Sequence, residues 1–368
     1  MFPIKRTIKV YGFYYYSIVF GLYYNIAVIY YIINNKIPPF SLFIFCFISV
    51  SSYYLISLFC LYKKYELYRF LYVRYFHFFG LIFYLSFYSI IFYPIYFFSN
   101  FRIKTYILIY TLPALMCVIY GIINERLLYP DRHRIKIKGI KKEIKLIHLS
   151  DLHLGAAYGK NEVEKLVKMI LKEKGDLIVI TGDIIDGNMF LEKNMLEPFS
   201  KLTIPIYYIT GNHEFYGDYQ QAMNIIDNLS YIKHLKNENI IFNDCINIIG
   251  KEYEFNIEKA KKDIKELIPN NNLPNILLYH SPIFELEELP NLNINLYLCG
   301  HLHGGQMFPY DNIKHMIYYK RYKGLFSIKD NFYLYLVSGI GTSVPLLRTL
   351  SAPNFGVITL ISFNLILY

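Results

Sequence analysis

His301 and His303 stand one residue apart in the stretch LCGHLHGGQMFPY, which ends an apolar run and carries three glycines. If the run stays extended, residues i and i+2 share a face of the strand, so both imidazoles address one spot. Glycines on either side allow backbone conformations closed to other residues and let another group come near. Imidazole is a common metal ligand, but it is equally an ordinary loop residue, so the pair alone decides nothing. The other chemistry-bearing residues decide it, because they recur at the same kind of place. Asp151 and His153 follow IKLIHLS, Asp183 follows IVITG, Asn212 and His213 follow YYITG, and His280 follows ILLY. Even with His213 left aside, two aspartates, four histidines and an asparagine are more ligands than one ion takes from a protein. They suit two ions held by imidazole and oxygen. Such ions, held roughly 3.5 to 4 Å apart, clamp a phosphoryl group, lower the pKa of a bridging water and stabilise attacking and leaving oxygens. The chemistry implied is hydrolysis of a phosphate ester.

These residues need a frame that brings strand ends together. From roughly Arg134 onward, short β-branched runs alternate with charged, helix-periodic stretches. IKLIHLSD and DLIVITGD read as buried strands with the helix NEVEKLVKMILKEKG between them. IPIYYITGNHE, IIFND, INIIGKEY, NILLYHSP, NLYLCGHLHGG and FYLYLVSGIGTS continue the series, with helices at DYQQAMNIIDNL and IEKAKKDIKELI. Alternating strands and helices predict a layered α/β domain. In such sheets strand ends converge on the ligand crevice, so residues scattered along the chain can meet.

The first third is of another kind. Four uncharged or nearly uncharged runs, Tyr11 to Ile33, Pro39 to Tyr62, Tyr75 to Phe98 and Thr105 to Ile123, each approach the ~20 residues a helix needs to cross the hydrocarbon core. The expectation is a four-helix transmembrane region over residues 1–125. A basic linker and first strand over 126–143 and the catalytic domain over 144–368 follow it. The first run is too long for a cleaved signal peptide and lacks a small-residue cleavage site, so it should be retained. Five cysteines, none in a CxxC pair and three of them (Cys46, Cys60, Cys117) inside proposed spans, indicate no disulfide or zinc framework. The net charge of +10 is concentrated in loops between spans and in Arg132 to Lys145. This favours contact with membrane lipids, and no nucleic-acid partner is expected. Lys5, Arg6 and Lys9 precede the first run and Lys36 follows it; the second loop carries Lys63, Lys64, Arg69 and Arg74, the third only Arg102 and Lys104. Positive residues in short loops stay inside, so the catalytic domain is expected in the cytoplasm, beneath a bacterial cytoplasmic membrane.

The order DLH, GD, GNHE, H, GHLH, over about Lys145 to Leu360, resembles the calcineurin-like metallophosphoesterase family, and GHLHGGQ its membrane-associated bacterial branch. The resemblance implies a β-sandwich flanked by helices and two divalent ions, for which Mn, Fe, Zn and Co are alternatives. Asp151, His153 and His303 would hold one ion, Asn212, His280 and His301 the other, and Asp183 both. His213 matches the general acid and Asp186 its orienting partner. The substrate is implied to be a phosphodiester, pyrophosphate or phosphomonoester. Protein phosphatases of the family usually have an arginine after the residue matching Asp186, where this chain has Gly187 and Asn188. That departure argues against a phosphoprotein, and a lipid-linked substrate is favoured. The alternatives are a non-catalytic membrane sensor or scaffold of the same fold that binds a phosphorylated ligand, and a nucleotide or nucleic-acid phosphodiesterase.

Lesser expectations complete the reading. Glu214 reads as a cap of the following helix rather than a support for His213. Gly339, Gly341 and Arg348 in SGIGTSVPLLR resemble a loop of membrane-associated members, where the arginine would pair with substrate phosphate. His77, His133, His148, His234 and His315 have no motif partner and read as structural or solvated.

Overall fold

The computed structural model describes residues 2–63, 65–99, 101–187, 191–283, 292–311, 313 and 321–363. His315, Lys64 and Asn188 lie outside them. The chain divides into two compact units, one comprising Met1–Glu125 with Val344–Thr349, the other Arg126–Ser343 with Leu350–Tyr368.

The first unit is helical. Helices α1 (Phe2–Asn34), α2 (Phe40–Lys63), α3 (Tyr65–Phe98) and α4 (Ile103–Asn124) each contain a stretch long and apolar enough to span a membrane. Helices α1 and α3 overrun the apolar runs because helical hydrogen bonding continues through their charged ends. Among the described residues few polar side chains are buried, and several of them pair: Asn25 Nδ2 donates to Ser86 Oγ, and Ser89 and Tyr106 share a hydrogen bond of 2.8 Å. Unmatched polar atoms in such surroundings are expensive, which explains the pairing.

The six residues Val344–Thr349 belong to this unit although they come from the far end of the chain. The Arg348 N–H donates to the Gly121 carbonyl, Asn124 Nδ2 donates to the Arg348 carbonyl, and Tyr14 donates to the Val344 carbonyl. Tyr84 bonds the Thr349 hydroxyl at 2.6 Å. The expected domain over 144–368 is therefore interrupted once.

The second unit is two six-stranded sheets. Strands β1 (Tyr129–Lys136), β2 (Ile144–Leu149), β3 (Leu177–Thr181), β4 (Ile206–Ile209), β5 (Lys233–His234) and β12 (Asn354–Ile361) form one, in the order β1-β12-β2-β3-β4-β5. Strands β6 (Glu238–Phe242), β7 (Ile246–Gly250), β8 (Asn275–Leu278), β9 (Leu296–Cys299), β10 (Gly324–Lys329) and β11 (Phe332–Leu336) form the other, in the order β10-β11-β9-β8-β7-β6. Strands β2 to β5 run parallel, as do β7, β8, β9 and β11. Ile144, Leu146, Val179 and Ile209 of the first sheet meet Ile246, Ile248, Ile276, Leu278, Leu296 and Leu298 of the second in one buried core. The opposite face of the second sheet buries Ile249, Leu277, Tyr279 and Tyr297 against Ala260 and Ile264 of α8 (Ile257–Leu267). Strands buried on both faces must be apolar at nearly every position, which is why β3 (LIVIT) and β8 (NILL) show no alternation. The fold is thus an α/β sandwich beside a helical region, as expected. The basic run is partly neutralised, with Arg132 paired to Glu173 and Arg134 to Glu143.

Candidate metal centre

Five parallel strands, β2, β3 and β4 of one sheet and β8 and β9 of the other, end two to four residues before the candidate residues. Seven of these fall into three overlapping groups, Asp151–His153–His303, His153–Asp183–His213 and Asp183–His280–His301. Within each group the ligand atoms lie within 4.8 Å of one another. Five are buried, while His301 and His303 are partly exposed. His153 Nε2 faces His303 Nε2 at 3.1 Å, and His280 Nε2 faces His301 Nδ1 at 3.2 Å. Asp183 Oδ2 lies 3.2 Å from His280 Nε2 and 3.9 Å from His153 Nε2, between the two sets.

The backbone around these residues is unusual. Asp151, His153, Asp183, His301 and His303 all have φ between 50° and 71°, a region that side-chain-bearing residues rarely enter. Strain concentrated at one spot is characteristic of functional sites, where surrounding structure enforces it. The expected reason for the His301 and His303 pairing is corrected here. Strand β9 stops at Cys299, and the two histidines lie in a turn rather than on one strand face. The left-handed residues separate them, sending His303 to Asp151 and His301 to His280. Gly300 is required because a Cβ would collide with the Asp151 carboxylate and the Ser150 hydroxyl.

Each ring is held by a partner on its far side. His280 Nδ1 lies 2.7 Å from the Thr181 carbonyl, which fixes that nitrogen as the donor and turns Nε2 inward. His153 Nδ1 lies 3.2 Å from the Asp186 carboxylate. Asp186 is also within 3.3 Å of His213 Nδ1, whose nearer acceptor, at 3.1 Å, is the Asp186 carbonyl. Asp186 therefore addresses two histidines, where one was expected. The Asp151 carboxylate accepts the His301 N–H, and Asp183 Oδ1 accepts the His213 N–H at 2.8 Å.

Glu214 caps no helix. The N-cap of α7 (Tyr219–Asp227) is Asp218, whose side chain accepts from the Gln221 N–H. Glu214 is instead fully buried and accepts the N–H groups of Asp183, Ile184, Ile185 and Gly211, tying the loops that carry Asp183 and Asn212 to each other. Burial, followed by the Asp183 charge, pushes its carboxyl up to about 7. Arg348 is fully buried, and its backbone N–H and carbonyl bond to Gly121 and Asn124 of α4.

The electrostatics fit cations. Burial raises the Asp183 carboxyl, but the charges of His280 and His213 outweigh it and pull it well below the carboxylate range. Burial disfavours the His153 imidazolium, yet hydrogen bonds to Asp151 and Asp186 hold its pKa at about 10; in His280 the Asp183 charge outweighs burial and holds it at about 9. Burial and the His280 charge push His301 down to about 3. Protons thus hold together a cluster whose ring nitrogens face one another. Cations binding such rings must displace those protons. Asn212 Oδ1 is buried without a hydrogen-bond partner, an acceptor for which a cation is the natural complement. The donor set, of imidazole, carboxylate and amide oxygen, suits Mn, Fe, Zn or Co. The buried His148, with Nε2 at 2.8 Å from the Thr181 hydroxyl, and His234, with Nδ1 at 2.9 Å from Asp227, serve as structural groups, as expected.

Residues 144–305 match the family described as calcineurin-like phosphoesterase. The chain carries a calcineurin-like metallophosphoesterase domain, the machinery of a metal-dependent phosphoric ester hydrolase. Relatives extend over more of it. An uncharacterized metallophosphoesterase of Campylobacter jejuni is 28% identical over 66% of this chain and 66% of its own length. One of Aquifex aeolicus is 25% identical over 67% of this chain and 97% of its own length. A bovine protein described as a transmembrane protein with metallophosphoesterase domain is 29% identical over 53% of this chain and 48% of its own. The chain thus spans less than two thirds of the Campylobacter and bovine relatives it matches. The four helices long and apolar enough to cross a membrane, together with such relatives, support membrane association.

Proposed function

We propose that the protein is a membrane-bound, dinuclear phosphoesterase acting on a lipid-linked phosphodiester, pyrophosphate or phosphomonoester. The observation that carries the dinuclear reading is the position of Asp183 Oδ2 between two sets of inward-facing ring nitrogens. Asp151, His153 and His303 would hold one ion, Asn212, His280 and His301 the other, with Asp183 shared. Two such ions, when bound, clamp the phosphoryl group and lower the pKa of water between them. His213 has the geometry of a general acid: its Nδ1–H donates to the Asp186 carbonyl, which leaves Nε2 to donate to a leaving oxygen. The carboxylates of Asp186 and Asp183, 3.3 and 3.9 Å from the ring nitrogens, stabilise the imidazolium that this role requires.

The purified full chain with Mn²⁺ should hydrolyse bis(p-nitrophenyl) phosphate and lose this activity on chelation. Absence of turnover with every divalent ion tried, alongside retained phosphate binding, would favour a phosphate-binding sensor instead.

The catalytic domain is proposed to face the cytoplasm, on the strength of the loop charges: Lys5, Arg6 and Lys9 before the first span and Lys63, Lys64, Arg69 and Arg74 after the second, against Lys36 alone after the first. An alkaline phosphatase fused after Tyr368 should be inactive and a fluorescent protein there bright. The reverse pattern would put the domain outside.

A further inference from the structure

The loop after β4 and the loop after β7 each carry aromatic residues beside the metal centre: Phe215, Tyr253 and Phe255 meet ring to ring, and Tyr216 stands against His213. Tyr216 packs edge-on against His213 with ring centres 5.0 Å apart. Tyr253 stands 6.0 Å from His280, meets Phe255 at 5.0 Å and stacks towards the buried Tyr279 at 6.3 Å. Phe215 closes the circuit, at 5.8 Å from Phe255 and 4.8 Å from Tyr219. The outer members are solvent-facing, with Phe215 37%, Tyr216 41% and Phe255 61% exposed. Nothing in phosphate binding calls for such rings. A phosphoryl group is met by cations and hydrogen-bond donors, and clustered exposed aromatics beside a site signal an apolar ligand group.

We propose that Phe215, Tyr216, Tyr253 and Phe255 form a subsite for the hydrocarbon of the departing alcohol. The substrate would then be an amphiphilic phosphoester whose alkyl or acyl chain lies on the leaving side. This rests on the phosphoesterase reading above and on His213 as the acid, because the group that His213 protonates is the one that lies beside Tyr216. In the hydrolysis, the oxygen of water bonds to phosphorus, the bond from phosphorus to the alkoxide oxygen breaks, and the proton of His213 Nε2 goes to that oxygen. Ring geometry favours a chain over a nucleobase. A base needs two parallel faces about 7 Å apart, twice the stacking distance. Here Phe215 and Phe255 meet at 70° and Tyr253 and Phe255 at 90°. The nearly parallel pair, Phe215 and Tyr219 at 13°, is already closed on itself at 4.8 Å. Steeply inclined rings offer faces and edges against which methylene groups can pack. The four apolar helices of the chain accord with a substrate drawn from membrane amphiphiles.

Two measurements on the metal-loaded full chain in phosphatidylcholine nanodiscs test this, with empty nanodiscs correcting for ligand partition. In calorimetric titrations with methyl-, propyl- and hexylphosphonate, affinity should rise by roughly twofold per methylene beyond propyl, about half the gain of full burial. In the Phe215→Ser/Phe255→Ser variant, both positions being exposed, hexyl and methyl affinities should converge. Equal affinities in the unmutated protein would overturn the subsite and leave the phosphoesterase reading intact. Phenylphosphonate binding more tightly than hexylphosphonate would overturn the chain in favour of a stacked ring. If no phosphonate binds and bis(p-nitrophenyl) phosphate is also untouched, the phosphoesterase reading itself fails. Second, methyl hexyl phosphate should yield hexanol and methyl phosphate by phosphorus NMR. Methanol and hexyl phosphate would show that the subsite, if present, holds the retained group, and would overturn the leaving-side assignment.

Discussion

Asp183→Asn is expected to lower kcat by about a hundredfold or more, since loss of even a group that merely orients a ligand costs 10- to 100-fold. Asp183 Oδ2 lies 3.2 Å from His280 Nε2 and 3.9 Å from His153 Nε2, while Oδ1 accepts the His213 N–H at 2.8 Å. An amide keeps one acceptor for that N–H and turns two N–H donors towards the place where two cations must share a negative oxygen. The fold should survive, because Glu214 and not Asp183 holds the surrounding loops together. The expected result is normal secondary structure by circular dichroism, metal content below two ions per chain by elemental analysis, and almost no turnover. Retention of more than about a tenth of the wild-type rate would refute a shared carboxylate, since a bridging ligand is central to the two-ion clamp.

His213→Ala should behave differently, retaining both ions and losing roughly 10² to 10⁴ in kcat, the range typical of a general acid. The structure makes this a sharp test, because His213 Nε2 is also within reach of the Asp183 carboxylate, at 3.9 Å. A ligand and an acid at that place are told apart by elemental analysis, and the loss of an ion would make His213 a ligand. The leaving group supplies a second discriminator. A p-nitrophenolate departs without protonation, so its ester should be slowed far less than an alkyl ester. Equal slowing of the two would remove His213 from the acid role.

The candidate ligands were legible because each stands just after an apolar run with little alternation, and strands buried on both faces leave that pattern. The four helices were legible for the same reason, length and apolarity being local properties. Features set by distant parts of the chain were not legible. Nothing near Glu214 distinguishes a cap from an acceptor of four N–H groups, since three of the donors, Asp183, Ile184 and Ile185, lie about 30 positions earlier. The turn at His301 and His303 depends on left-handed backbone that surrounding packing enforces, whereas propensity alone predicts an extended run. Strand β12 carries no motif, yet it lies between β1 and β2 and is buried at every position. The backbone of Arg348 bonds to residues of α4 more than 200 positions earlier, a pairing that no local pattern announces.

The six residues Val344–Thr349 also impose an order in time. Helix α4 ends at Asn124, and the residues that bond to Gly121, Asn124 and Tyr84 are synthesised roughly 220 positions later. At about 5 to 20 residues per second, the ribosome takes roughly 10 to 45 s to bridge that interval. Throughout it, the side-chain amide of Asn124 awaits a partner that does not yet exist. The helices must therefore be held in an unfinished state while most of the phosphoesterase domain is being made, and the bundle closes almost last, although it emerges first.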